Sequence, residues 1–373
     1  MAEIDNWIKE QLKKGYKKEQ IKEGLRKAGY QQDIIDSVDN IIKKVNNKKY
    51  IFAFLIIFIL VIAFFYIRNL PYKRIFDREE IINIATNQFS SPTEGIIWDD
   101  LDELSNIFDI SDYKRGRKEK QTIGHILIFY TDLYKFDKLD DQGIAALNQW
   151  FDYALRILPE NCSDSADALL VSGIIYSMVY GPIDVDINFL SDYLQRCEKI
   201  ESEYPLFYLA ESYYYLFDYT KNEVYKNKFI DILKKELDRD IEEIFLVYGA
   251  EELRLWGFAC DYYCDIERVN ELKTFIKEAT CDGIMKPGII NYNCLNKDNF
   301  PTVLKRIYYL TRSDYYDEFK EEIEKTINFL MTSDFIKTNG KIKFMFKGEY
   351  VSEPLGACQL ADPLINIKYK EQK

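Results

Sequence analysis

Five carboxylates sit where acid–base chemistry could be done: Asp99 and Asp100 beside Trp98, Glu211 within an apolar helix, Glu251, and Asp261. Two such groups facing across a cleft, one as acid and one as base or nucleophile, hydrolyse glycosidic bonds. An indole such as Trp98 stacks on a sugar ring. Each acid also has a plainer reading. Asp99 and Asp100 open a helix, where acids favour the dipole anyway, and a chain with 62 acidic residues places some beside aromatics by chance. None is singled out as catalytic.

His125 is the only histidine and lies on an apolar helix, Thr122 to Ile128. It reads as a core residue. Its solitude excludes a His-rich metal site, and no G-x-S-x-G elbow supports a serine triad. There is no P-loop, dinucleotide fingerprint or EF-hand loop. No cofactor and no metal is expected.

The seven cysteines are 162, 197, 260, 264, 281, 294 and 358, all in the carboxyl-terminal part. Cys260, Cys264, Cys281 and Cys294 could be read as zinc thiolates, with the first pair on one helix face, but no tight C-x-x-C knuckle is present. Disulfides in an oxidising exterior account for them better. Cys281–Cys294 is the candidate pair, stapling an irregular loop that contains Pro287-Gly288. Seven is odd, so at least one thiol is free or pairs between chains. Asn161-Cys162-Ser163 is the one N-x-[ST] sequon, making Asn161 a candidate glycosylation site.

What must position these residues begins with a charge-free run, Tyr50 to Ile67. As a helix its 18 residues cover about 27 Å, close to the ~30 Å of a bilayer core. Forty-nine residues precede it and no A-x-A-like site follows, so it reads as an anchor rather than a signal peptide. Tyr50 and Tyr66 stand at its ends, at headgroup level. The organisation expected is a basic module 1–49, a transmembrane helix 50–67, a neck 68–77 and a large domain 78–373. Residues 1–49 hold 12 Lys/Arg against 8 Asp/Glu; the rest holds 38 against 54. A short basic tail stays in the cytoplasm while a long domain translocates regardless of charge. The expected location is therefore the cell membrane, single-pass, with the amino end cytoplasmic and the body extracytoplasmic. So acidic a body excludes nucleic acid as a partner.

The tail repeats. Gly15-Tyr16-Lys17-Lys18-Glu19-Gln20-Ile21 recurs as Gly29-Tyr30-Gln31-Gln32-Asp33-Ile34-Ile35. Each glycine ends a helix in a left-handed turn, with the aromatic packing under the next. Three helices follow, at about 4–14, 18–28 and 32–46, with Ile4, Ile8, Leu12, Ile21, Leu25, Ile34, Val38, Ile41 and Ile42 inward. The module resembles ubiquitin-associated-type three-helix modules, which implies a cytoplasmic protein partner. The plainer reading is a basic bundle touching anionic lipid heads.

The body reads as helices at 78–88, 97–108, 120–136, 142–158, 164–180, 187–202, 205–219, 222–237, 241–263, 266–279, 299–312 and 314–332. Thr220-Lys221-Asn222-Glu223-Val224-Tyr225 and Thr311-Arg312-Ser313-Asp314-Tyr315-Tyr316 share one turn pattern. Comparable turns fall near 137, 181 and 264, steps of about one helical hairpin. Six hairpins close into an α/α toroid or stay open as a solenoid. The aromatic helix ends, the T-[KR]-[NS]-[ED]-x-Y turns and the closing Thr338-Asn339-Gly340-Lys341 before alternating Ile342 to Phe346 resemble the six-hairpin glycosidase-like families. The last stretch predicts a short β-hairpin. The fold class is all-α. The expected function is a membrane-anchored cell-surface protein whose exterior body binds or scaffolds protein or glycan; the alternative is a tethered carbohydrate-active enzyme of toroid type.

Overall fold

The computed structural model describes residues 2–44, 74–92, 112–199, 206–237, 241–278, 300–332, 336–338, 342–346, 349–350 and 354–370. The chain divides into two compact units, Met1–Tyr72 and Lys73–Lys373. Tyr50–Ile67 lies outside the described residues. Among those described, no helix is long and apolar enough to cross a membrane. The expected helix 97–108, with Trp98, Asp99 and Asp100, also lies outside them, as do Cys281 and Cys294.

The first unit holds α1 (Ala2–Lys13), α2 (Lys18–Lys27) and α3 (32–44). Gly15 and Gly29 take φ of 90° and 78°, the left-handed turns that the repeat predicts. Ile8, Ile21, Leu25, Ile35, Val38 and Ile41 form the core. Two expectations are corrected. Ile35, not Ile34, is the buried residue of its pair. Tyr16 and Tyr30 are 51% and 42% exposed instead of packed beneath the next helix, because the left-handed turn itself closes the helix and needs no aromatic under it.

The second unit is mostly helical. Its helices are α4 (Arg78–Gln88), α5 (Asp112–Lys135), α6 (Asp141–Ile157), α7 (Ser165–Tyr180), α8 (Ile187–Cys197), α9 (Phe207–Thr220), α10 (Glu223–Leu237), α11 (Ile241–Ala259), α12 (Ile266–Glu278), α13 (Phe300–Thr311), α14 (Tyr316–Leu330) and α15 (Pro354–Lys370). Aspartates start several of them: Asp140 accepts from Gly143 N, and Asp164 from Ala166 N and Asp167 N.

Two kinds of helix alternate. α7 is apolar all round and buries every residue from Ala166 to Met178. α6 is amphipathic and buries one face: Gly143, Ala146, Leu147, Trp150, Phe151 and Ala154. A helix apolar on all sides must be surrounded; an amphipathic one covers it. The packing follows. α5 lies on α7, α7 on α9, α9 on α11, α11 on α13, α13 on α15, and α15 back on α5. These six close a ring. Outside it, α6 packs on α5 and α7, α8 on α7 and α9, α10 on α9, α12 on α11, α14 on α13, and α4 on α15.

The pairing differs from six consecutive hairpins ending at 332. Five hairpins are consecutive, but the sixth pair joins α15 to α4 from opposite ends of the unit. α15 escapes a sequence reading because Pro363 lies inside it, and an interior proline removes a backbone donor. Its buried face, Ala357, Leu360, Ala361, Leu364 and Ile365, keeps helical spacing nonetheless. β1 (Ile336–Thr338) and β2 (Ile342–Phe346) form the predicted hairpin, with Ile336 opposite Phe344; β3 (Glu349–Tyr350) extends it.

Two disulfides fall outside the predicted pair. Cys162–Cys197 ties the approach to α7 to the end of α8, with Cα atoms 5.0 Å apart, and Cys260–Cys264 closes the turn after α11. Cys358 is a buried free thiol.

The tightest contact in the ring is α5 against α7, where Gly124 faces Gly173. A Cβ on Gly173 would stand 2.6 Å from Gly124 O, and one on Gly124 2.9 Å from Leu169 O. Backbone cannot yield as a side chain does. Gly173→Ala is expected to destabilise the body by about 1–3 kcal/mol or more, read by urea unfolding of the full chain in detergent. An unchanged midpoint would refute the close crossing.

Candidate functional site

The turns picked out by the repeat mark one end of the ring. α5 ends at Lys135, α7 at Tyr180, α9 at Thr220, α11 at Ala259 and α13 at Thr311. Two of these ends turn through left-handed residues, Asp137 (φ 55°) and Lys221 (φ 56°). A cavity of about 300 Å³ opens there. Its walls carry six aromatic rings, of Phe136, Tyr176, Tyr180, Tyr214, Tyr215 and Phe258. Three cations, Lys135, Arg254 and Arg312, and the amide of Asn366 complete the lining. Tyr214 and Phe258 stack in parallel, ring centroids 4.2 Å apart.

Beneath the wall lies a buried polar network. Asp132 on α5 accepts from Tyr176 Oη and from Arg312 Nη1, and from Asn366 Nδ2 at 3.1 Å. Arg312 Nη1 also reaches Asp362 Oδ2 at 3.1 Å, and Asn366 Nδ2 reaches the same oxygen at 3.3 Å. Two carboxyls therefore share two donors. Both are buried, and like charges so close cannot both ionise cheaply. Burial pushes Asp362 well above the usual carboxylate range, and the Asp132 charge adds to this against the pull of Arg312. For Asp132 burial also acts upward, but Arg312, Lys135 and hydrogen bonds from Asp362 and Tyr176 hold it well below that range. Asp362 carries the proton and Asp132 the charge.

A second group joins α9 and α11. Arg254 Nη2 and Tyr215 Oη both donate to Glu211 Oε1, and Arg254 lies 3.3 Å from Tyr215 Oη. Deeper still, Lys305 Nζ is 3.3 Å from Glu251 Oε2, and Tyr309 Oη donates to Tyr208 Oη at 2.8 Å. Burial raises the Glu251 carboxyl; Lys305 opposes and the Glu211 charge adds. At the rim, Tyr180 Oη donates to Asp218 Oδ2 at 2.5 Å, and Lys221 Nζ reaches Asp218 Oδ1 at 2.7 Å.

His125 is buried as expected, edge-on to Tyr308 with centroids 4.7 Å apart. Its Nδ1 has no hydrogen-bond partner among the described residues. Burial, then the cations Lys305, Arg312 and Arg254, push the imidazole down to about 3, so it is neutral.

Of the five candidate acids, the structure brings Glu211 and Glu251 into the ring centre and binds each to a cation. Asp261 lies exposed in the turn after α11. Asn161 is exposed in the loop before α7. Asp132, Asp362, Arg254, Lys135 and Arg312 were not singled out. For Asp132 the signal is a charge in the apolar second half of α5, seven residues from His125 and on the same face. Among the described residues no cluster of His, Cys, Asp and Glu could hold a metal ion.

No protein-family model, no curated protein and no solved structure matches the chain. Function is therefore argued from the ring centre itself.

The shared proton has a consequence for pH. A carboxyl raised in the folded state contributes stability that is complete below its unfolded value, about 3.9, and lost as pH rises toward the folded one. Asp362→Asn keeps a neutral group there. Its stability relative to the parent is expected to rise with pH above about 3.9, the unfolded carboxylate value, by up to about 1.4 kcal/mol per unit. Thermal unfolding of both chains across that range tests it; a constant gap would place the proton elsewhere.

Proposed function

We propose that this chain is a membrane-anchored cell-surface binding protein. Tyr50–Ile67 is its span, residues 1–49 lie in the cytoplasm, and the exterior body is an α/α toroid whose centre holds a ligand, a glycan above all. The cavity wall carries this reading: six aromatic rings line about 300 Å³, a volume at the small end of ligand sites. The disulfides Cys162–Cys197 and Cys260–Cys264 support an oxidising exterior.

A second reading, a tethered carbohydrate-active enzyme, is favoured by one observation. Asp132 and Asp362 have opposed proton affinities, as an acid–base pair requires. Against it, neither lines the cavity, and Asp132 is taken up by Arg312, Tyr176 and Asn366.

Deleting 50–67 is expected to move the chain from an alkali-resistant membrane pellet to the soluble fraction. In intact cells protease should digest the body and spare residues 1–49. Digestion of the tail instead would reverse the orientation.

Full-length protein in nanodiscs, applied to a glycan array, is expected to bind without cleaving. Phe258→Ala, which removes one face of the aromatic pair, should weaken binding about tenfold, on the scale of an aromatic contact. Cleavage abolished by Asp132→Asn would install the enzyme reading. No retention of any glycan would remove the glycan reading.

A further inference from the structure

We infer that the ligand of the ring centre carries an oxyanion (carboxylate, sulfate or phosphate) seated against Lys135 and Arg312, with its ring on the aromatic wall beside them. This rests on the reading of the ring centre as a binding site and adds the chemistry of what it binds.

The first observation is the sign of the wall. Among the described residues three cations line the cavity and no carboxylate does. The acids of the ring centre are turned away into networks of their own, Asp132 with three donors and Glu211 with two. A cationic ligand would meet only like charges there. A neutral one would take water from the Lys135 ammonium without giving it a charged acceptor, since Arg254 and Arg312 are already paired with Glu211 and Asp132.

The second observation is Lys135. Its side chain is 36% exposed, the most accessible of the three cations. It donates to the neutral Tyr176 Oη at 3.1 Å, and its carboxylate neighbour Asp132 is 3.8 Å away. An ammonium has three donors, so capacity is left for a ligand. The Tyr180 ring lies 4.7 Å beneath the ammonium and the Tyr176 ring 5.4 Å. Those rings hold it at the cavity through its charge.

The third observation is the balance at Arg312. It touches two carboxyls but, with the proton on Asp362, faces one negative charge. Its Nε, like that of Arg254, has no hydrogen-bond partner among the described residues. Lys135 and Arg312 thus meet around Asp132, two cations on one carboxylate. Asp218 at the rim also faces Lys135 but is held by Tyr180 and Lys221, and an oxyanion in the cavity would give Lys135 a direct charged acceptor. The acidity of the rest of the body does not prevent this, because exposed charges beyond about 8 Å are screened at physiological salt.

The wall also selects shape. The parallel pair Tyr214–Phe258 lies across the same cavity, so one ligand can set a ring against aromatic carbon and its anion against Lys135. Aromatic faces with a cation nearby suit a charged sugar ring better than a bare inorganic ion.

The test uses the full chain in nanodiscs and calorimetric titration with glucose, glucuronate, glucose 6-sulfate and glucose 6-phosphate, which share a ring and differ in charge. Inorganic sulfate and phosphate are titrated beside them. The expected result is that at least one charged sugar binds tenfold or more tighter than glucose, the scale of one charge-assisted hydrogen bond. Lys135→Gln should bring that sugar to the level of glucose, and Lys135→Arg should keep the preference. Circular dichroism of both variants confirms that the fold is unchanged. The member preferred identifies the oxyanion; inorganic ions binding as well as the sugars would confine the inference to a free anion and overturn its ring component. Equal binding of glucose and its charged relatives, or a preference that survives Lys135→Gln, overturns the oxyanion and leaves the binding reading standing. Silence from every charged probe overturns it too, and glycan-array retention then decides the binding reading separately.

Discussion

Arg312 is the residue on which the ring depends. It follows α13 and is bonded to Asp132 on α5 and Asp362 on α15. Those are the helices that meet where the ring closes. A guanidinium buried to 6% exposure needs such partners, because an isolated charge in a protein interior costs several kcal/mol. The pair is not a free gain in stability, since well-packed apolar side chains serve as well or better. What it adds is specification: only the closed ring satisfies all three groups at once. Tyr176 brings α7 into the same network through Asp132.

The same constraint shapes the site. Apolar packing alone would fill the centre of six parallel-ended helices with aliphatic side chains. Here the inner helices bring Tyr, Arg, Lys and Asp to it, and each acid is bound by cations or hydroxyls from neighbouring helices. With the acids spent on one another's helices, the wall that remains is aromatic and cationic. The ring's closure and its recognition chemistry are thus two results of one buried network.

Much of the local structure is written in the chain. Helix boundaries follow from capping aspartates, as at Asp140 and Asp164, and from the contrast between the apolar α7 and the amphipathic α6. The left-handed glycines of the tail and the hairpin around residues 338–342 were legible for the same reason: turn chemistry acts within a few residues. The repeat of aromatic helix ends was legible too, and it marks the end of the ring where the cavity opens. The exceptions are physical. α15 is hidden by Pro363, and Tyr16 and Tyr30, aromatic though they are, face solvent.

By itself the sequence determined an all-α body, the period of its hairpins, the charge-free run 50–67 and the asymmetry of charge and cysteine on either side of that run. These are properties of neighbours along the chain. Only the tertiary structure decided that the helices close, that α4 and α15 are partners, and that Asp132 rather than Asp261 sits in the buried network at the centre. Asp132 and Arg312 are 180 residues apart, and Arg312 and Asp362 another 50. No periodicity of 3.6 or of one hairpin relates such positions. They meet because each inner helix must bury all its faces, and a ring is how six helices do so together.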